Sequence, residues 1–253
     1  MLSDEGDGKG YWQKNRSAAA KFLVLFAATE STMSWDFIMS IDTHWYSTLF
    51  AWYTFAGMFV TSIAALVFTI TYLKSKGYLQ EVTEHHLHDI GKFMFAFSIF
   101  WTYLWFCQFM LIWYSNIPEE VTYFMLRQDH YRGWWLGSFF INFIAPFVIL
   151  MTRDAKRKLY LLMYMSIVIF IGHWIDTFVM VIPGSMLTAG HHAAEAGAHH
   201  GHALSLGSVG LMEIGTTLGF IGLFMYLVQH HLSKAPLVAK NHPMLEESLH
   251  HAI

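Results

Sequence analysis

The chain has 253 residues, of which 55% are hydrophobic and only 13% are charged. Soluble proteins carry roughly 25% charged residues, so this composition cannot cover the surface of a soluble domain and predicts an integral membrane protein. The net charge of -3 gives no indication of nucleic acid binding. The single cysteine, Cys107, excludes a disulfide within this sequence, a Cys-x-x-Cys metal or haem site and a cysteine-ligated iron–sulfur cluster.

Six segments are predicted to be membrane-spanning helices, since about 20 apolar residues cross a bilayer. They are residues 22–41, 45–73, 93–117, 133–152, 159–183 and 208–229. The first is the weakest, because it contains Glu30 and Asp36. No cleavable signal peptide is expected ahead of it, because the N-terminal residues are acidic and rich in glycine rather than basic.

The basic residues predict how these spans are oriented, because Lys and Arg collect on the cytoplasmic side, especially in short loops. With six spans, all but two of the 15 basic residues fall on the side of the N-terminus, the exceptions being Arg127 and Arg132. A first segment that did not cross would leave a much more even distribution. The sequence therefore favours an all-α, polytopic transmembrane helical bundle with six spans and both termini in the cytoplasm.

This topology divides the chain into a cytoplasmic N-terminal segment (1–21), the helical bundle (22–232) and a cytoplasmic tail (233–253). The tail is expected to be partly extended, because it contains Pro236 and Pro243. The outer loop at 190–203 includes the stretch HHAAEAGAHHGH. Imidazole suits zinc and copper, but the low complexity of this loop favours a linker with weak metal affinity, so no dedicated metal site is predicted.

Ionisable groups inside a bilayer are costly, so each one is a candidate functional residue. His173 and Asp176 are three residues apart and share one face of the fifth span, where they can hold a proton, pass it on or bond a quinone carbonyl. The alternative for this pair is a buried, mutually satisfied contact that fixes helix packing. Glu30 and Glu213 have Ser or Thr neighbours, which indicates either a proton route or hydrogen bonds between helices.

Two further pairs lie at the predicted membrane surface. Asp42 and His44 follow the first span, and His88 and Asp89 precede the third. Loop and helix-start chemistry is the simpler interpretation, but both pairs are kept as candidates for a proton path or for quinone contact. Haem b in a membrane bundle usually needs two intramembrane histidines on facing helices, and only His173 is available. If the chain takes part in redox chemistry, its redox centres are therefore expected in other subunits.

Three long segments resemble one integral subunit of bacterial alternative complex III, a quinol:cytochrome c oxidoreductase. They are HHLHDIGKFMFAFSIFWTYLWFCQFMLIWYSNIPEE at 85–120, WDFIMSIDTHWYSTLFAWYTFAGMF at 35–59 and GHWIDTFVMVIP at 172–183. The subunit is the F subunit, which is related to the NrfD-like membrane anchors, and the resemblance covers about 30–228. Family members are usually longer, with additional spans ahead of this region, so the chain is expected to correspond to their C-terminal part.

The resemblance implies a protein of the bacterial inner (cytoplasmic) membrane that binds no cofactor alone. It implies a homologous NrfD-like C subunit, multihaem cytochrome c and iron–sulfur subunits and a terminal oxidase as partners, beside membrane lipids. Haem c and iron–sulfur clusters would belong to those partners, and menaquinol would supply the electrons. The chain would scaffold this oxidoreductase and contribute to quinone contact or to a proton-transfer path, without redox centres of its own.

Two other functions stay open on the residues alone. A proton-coupled secondary transporter would use Asp176 and Glu213 as coupling carboxylates. The fourth span contains Pro146, but the sequence lacks the paired Gly or Pro interruption that is typical of transporters with inverted repeats. A purely structural membrane anchor would use its ionisable groups only to pair helices.

Overall fold

The computed structural model describes residues 8–195, 210–234, 237–238 and 242–250. Within these ranges the regular elements are all helical, which confirms the all-α prediction for this part of the chain. They are α1 (Gly8–Met33), a π-turn (Ser34–Ile38), a 3-10 turn (Met39–Ile41), α2 (Leu49–Ser75), α3 (Glu84–Ser115), α4 (Pro118–His130), α5 (Arg132–Phe139), a second π-turn (Phe140–Ile144), α6 (Ala145–Leu150), α7 (Arg153–Arg157), α8 (Leu159–Glu195), α9 (Leu211–Leu232) and α10 (Leu245–His250).

Five helical stretches within the described ranges are long and apolar enough to cross a membrane. They are Leu49–Ser75, Glu84–Ser115, Arg132–Leu150, Leu159–Leu187 and Leu211–Leu232. Each corresponds to one predicted span, as expected of a multi-pass membrane protein. The predicted span at 22–41 is not among the five, so its crossing stays a prediction.

Several predicted segments differ from the helices of the structure. The predicted N-terminal segment and first span are joined in one helix, α1, which runs from Gly8 to Met33. Helix α8 extends to Glu195, so the histidine-rich loop predicted at 190–203 begins inside a helix, and its residues from 196 onward lie outside the described residues. The tail predicted to be partly extended contains the short helix α10.

The ends of α3 show why it is longer than the span predicted at 93–117. Thr83 caps the helix: its backbone N–H donates to Nδ1 of His86 at 3.1 Å, and its hydroxyl lies 2.9 Å from the same nitrogen. Asn116, with φ at 49°, ends it in the left-handed conformation. Its 32 residues extend about 48 Å, well beyond a hydrocarbon core of about 30 Å. The polar turns around Glu84 therefore continue the helix outside the apolar region.

The chain divides into two compact units. The main unit is Ala27–Gly207, and the terminal unit is Met1–Phe26 with Ser208–Ile253. In the main unit, α2 buries Ala56, Val60 and Ala64, which are four residues apart and share one helix face. The small side chains on this face let neighbouring helices approach closely. In the terminal unit, α9 has no buried residue.

Two apolar clusters follow each other along the main unit. We call the end where α2 begins and α3 ends the Asp42 end, and the opposite end, which contains α7, the Lys156 end. The cluster toward the Lys156 end comprises Val60, Ala64, Val67, Leu87, Met94, Leu150, Leu162, Met165 and Ile169. The cluster toward the Asp42 end comprises Phe50, Tyr53, Ala56, Trp101, Leu104 and Met180. Polar groups are concentrated in and around the second cluster.

Candidate functional site

Four side chains from three helices form a buried polar group, which we call the Asp176 cluster: Tyr53 of α2, Trp101 of α3, and His173 and Asp176 of α8. All four are buried. The Tyr53 hydroxyl donates a hydrogen bond to Oδ1 of Asp176. The Trp101 and His173 rings meet edge to face, with centroids 5.3 Å apart. The cluster therefore links a carboxyl, a phenol, an imidazole and an indole inside the bundle.

A glycine gives the two rings their space. Gly57 lies one turn after Tyr53 on the same face of α2. A methyl group at this position would lie 3.4 Å from Nδ1 of His173 and 3.5 Å from Nε1 of Trp101. The backbone of α2 thus packs directly against the rings.

Three polar atoms of the Asp176 cluster retain bonding capacity. Oδ2 of Asp176, Nε2 of His173 and Nε1 of Trp101 are buried and have no hydrogen-bond partner among the described residues. Buried polar groups normally have a partner, because an unpaired one is costly in a low-dielectric interior. These atoms can bond a water molecule or the oxygen of a small polar ligand.

The sequence placed His173 and Asp176 on one face of a span, and the structure confirms this. The alternative that they satisfy each other is wrong, because they form neither a hydrogen bond nor an ion pair with one another. Asp176 instead bonds Tyr53, which is 123 residues away in the chain.

An ion pair between a buried arginine and a half-buried aspartate lies toward the Asp42 end. Arg127 of α4 is only 1% exposed, and its Nη2 donates to Oδ2 of Asp42 at 2.9 Å. The same guanidinium donates from Nε to the carbonyl of Val179 at 3.1 Å and from Nη2 to the carbonyl of Met180 at 3.0 Å. A further bond, from Nη1 to the carbonyl of Tyr123, measures 2.9 Å. The charge of Arg127 is thus compensated by one carboxylate and three carbonyl dipoles.

Pro183 explains why α8 needs this arginine. Proline has no backbone N–H, so the carbonyl four residues earlier, that of Val179, lacks its donor within the helix. Arg127 supplies the missing donor from a neighbouring helix. An unsatisfied backbone carbonyl at membrane depth would cost several kcal/mol, so the arginine lets α8 continue beyond Pro183.

Aromatic packing encloses this ion pair. The Arg127 guanidinium carbon lies 3.3 Å from the centroid of the Tyr123 ring. Trp45 stacks on the same ring, with centroids 4.0 Å apart. Burial raises the pKa of Tyr123 to about 12, although the nearby Arg127 opposes this shift. The Tyr123 phenol is therefore neutral at physiological pH.

The remaining candidates near the Asp42 end are not brought together in one site. Glu30 is buried at the end of α1, where it accepts a hydrogen bond from the Thr54 hydroxyl at 3.1 Å. Consecutive helical residues point about 100° apart, so this contact is on a different face of α2 from Tyr53. Asp42 belongs to the ion pair with Arg127, and His44 is exposed.

Three other candidates lie elsewhere. His88 and Asp89 are at the Lys156 end, with their side chains 3.8 Å apart, and Lys92 contacts Asp89 at 2.7 Å. Asp89 is about 18 Å from Trp101 along α3, so this group is separate from the Asp176 cluster. Glu213 belongs to the terminal unit, in the first turn of α9, where an acidic side chain favourably faces the positive end of the helix dipole.

The fourth span contains a π-turn that sequence analysis missed. Asn142 lies in this turn, is 1% exposed, and has no hydrogen-bond partner for either side-chain polar atom among the described residues. Its amide packs on Gly172, where an added methyl group would overlap Asn142 and lie 2.7 Å from the side chain of Ile141. π-Turns within longer helices frequently occur at functional sites. This one places a polar side chain against the helix that carries His173.

We expect Gly172→Ala to destabilise the main unit by about 1–3 kcal/mol, because the added methyl group overpacks the contact with Asn142. Gly137→Ala is the matched control: a methyl group there meets no atom within 4 Å. Thermal unfolding in detergent measures both variants. Equal unfolding temperatures for the two would contradict the close approach at Gly172.

Sequence analysis missed Tyr53, Trp101 and Arg127 as site residues. The sequence does not distinguish Tyr53 and Trp101 from the many other aromatic residues in the apolar spans. Arg127 could have been found from the sequence. Pro183 near the end of a span leaves a backbone carbonyl without its donor, and an arginine in a short segment between two spans is a suitable donor.

Comparisons with known proteins identify no family: no protein-family model matches the chain, and no curated protein matches it. Among the residues that the structure describes, no group of three or more His, Cys, Asp or Glu side chains is arranged to hold a metal ion. The function is therefore inferred from the site itself and from the sequence resemblance.

Proposed function

We propose that this chain is an integral membrane subunit of a bacterial quinol:cytochrome c oxidoreductase of the alternative complex III type. One observation carries the proposal: the Asp176 cluster draws residues from all three segments that resemble the F subunit. Tyr53 lies in the segment 35–59, Trp101 in 85–120, and His173 and Asp176 in 172–183. Three segments that are distant in sequence thus each contribute a side chain to the buried Asp176 cluster.

The chemistry of the cluster suits quinone contact or proton transfer. Oδ2 of Asp176 can accept a proton or a hydrogen bond from a quinol hydroxyl, while Tyr53 holds the other carboxyl oxygen. His173 can donate to or accept from the same ligand through Nε2, according to its tautomer. Haem c and iron–sulfur clusters in partner subunits would carry the electrons, and a terminal oxidase would be a downstream partner.

The proposal includes six spans, both termini in the cytoplasm and location in the bacterial inner membrane. It is supported by the basic residues, which fall almost entirely on one side under this topology, and by the burial of Glu30 against α2. The Lys156 end would then face the cytoplasm. In a Cys107→Ser background, an impermeant maleimide should label Ser115→Cys in intact cells and Ala18→Cys only after lysis. Labelling of both from the same side would exclude six spans.

Copurification tests the assignment to a complex. When the tagged chain is extracted from its native membrane in mild detergent, we expect proteins with the absorbance of haem c to elute with it in fixed proportion. An untagged membrane preparation is the control for nonspecific retention. A chain that elutes alone, without haem, would contradict the proposal and favour the transporter.

A further inference from the structure

The Lys156 end contains cations that form no ion pair with the carboxylates of the described residues. Lys156 of α7 is 7% exposed, and neither it nor the neighbouring Arg157 forms an ion pair with a carboxylate of the described residues. Nε of Arg157 is buried and has no hydrogen-bond partner in this part of the chain. Lys92 is 2.7 Å from Asp89, whereas Lys156 and Arg157 have no such carboxylate partner among the described residues.

The fold holds Lys156 in this position. Its Cβ and Cγ pack on Gly91 of α3, where a methyl group would lie 3.2 Å and 3.3 Å from them. Its ammonium group is 4.7 Å from the centroid of the Phe95 ring. Burial lowers the pKa of Lys156, and the charges of Lys92 and Arg153 lower it further. An anion bound here would relieve both effects.

An aromatic surface leads away from the ammonium group. Phe95 stacks on Phe147 of α6, with centroids 6.2 Å apart, and Phe147 contacts Phe143 at 5.4 Å. Phe147 is 40% exposed, so it can contact an acyl chain. The cations thus lie at the end of an apolar wall that continues into the membrane-spanning region.

We propose that Lys156 and Arg157 bind the phosphate of an anionic phospholipid headgroup, and that Phe147 contacts its acyl chain. Basic pockets between helices are a known mode of recognising anionic headgroups on the cytoplasmic side. Free phosphate carries the negative charge but has no acyl chain, so the exposed Phe147 ring favours the lipid. The inference is independent of the proposed respiratory function, because it requires only a membrane-embedded chain.

Titration of the purified full chain in detergent tests the site. The probes are phosphatidylglycerol, phosphatidylcholine with the same acyl chains, and inorganic phosphate. We expect Lys156→Met to weaken phosphatidylglycerol binding about fivefold, the effect of removing one basic side chain near an anionic headgroup. Lys76→Met is the matched control, since that lysine also lies over an aromatic ring, 5.7 Å from the centroid of Tyr72, but is exposed. Binding of phosphatidylcholine should not change.

Phe147→Ala separates lipid from free phosphate: it should weaken phosphatidylglycerol binding and leave phosphate binding unchanged. Equal losses for Lys156→Met and Lys76→Met, or equal binding of the two lipids, would overturn the site. Displacement of phosphatidylglycerol by equimolar phosphate would overturn the lipid as its ligand. Gel filtration checks folding. If Lys156→Met does not fold, Arg157→Gln at a half-buried position is tested by the same criteria.

Discussion

Asp176→Asn is expected to reduce quinol-dependent turnover of the assembled complex about 100-fold, the usual scale of general acid–base catalysis. Asparagine retains the shape of the side chain and can still accept the hydrogen bond from Tyr53, but it cannot take up a proton. Turnover and proton release are measured together in the purified complex. Loss of both at normal assembly is the expected result for a proton-transfer role.

Glu120→Gln is the matched control for this variant. Glu120 is also buried, at 9% exposed, but it lies in α4 outside the Asp176 cluster, so its replacement should leave turnover unchanged. Unchanged turnover and proton release in Asp176→Asn would exclude a role for this carboxyl group. Turnover that falls only in proportion to the amount of assembled complex would favour a structural anchor.

Arg127→Met should lower the free energy of unfolding of the main unit by about 3 kcal/mol, because removing the buried guanidinium leaves the half-buried Asp42 carboxylate uncompensated. The variant also leaves the carbonyl of Val179 without its donor. Arg127→Lys keeps the charge but cannot reproduce the planar guanidinium fork, so an intermediate loss is expected. Thermal or chemical unfolding in detergent measures the series.

Arg132→Met provides the comparison, because Arg132 lies at the same end of the bundle but is exposed. Its removal should cost less than about 0.5 kcal/mol. Replacing Asp42 with Asn in the Arg127→Met background should recover part of the loss, since the uncompensated carboxylate is then gone. If Arg127→Met and Arg132→Met lower the free energy of unfolding equally, the network around Arg127 is not a determinant of the fold.

Local sequence patterns were sufficient to predict the positions of the apolar helices. A run of about 20 residues without charges is apolar regardless of what packs against it, so five of the predicted spans could be placed to within a few residues at most ends. The start of α3 was an exception. Its polar first turns around Glu84 extend beyond the apolar region, where hydropathy carries no information about helicity. The cap at Thr83 determines where this helix begins.

The candidate site could be predicted only in part. Asp176 was identified because a carboxyl group in an apolar span is costly wherever its partner lies. Its partner, Tyr53, could not be found, because the contact joins residues 123 positions apart. Counting basic residues treated Arg127 and Arg132 alike, although one is buried and the other exposed. The difference depends on Asp42 and Val179, which only the folded chain brings within reach.

The contact between Arg127 and α8 also has a consequence for the order of folding. Most transmembrane helices satisfy their backbone groups within their own segment and can form independently as the chain inserts. The turn of α8 at Pro183 cannot, because one of its carbonyls takes its donor from α4, 52 residues earlier in the chain. This turn therefore reaches its final structure only when α4 docks, which makes the completion of α8 a late step in the assembly of the bundle.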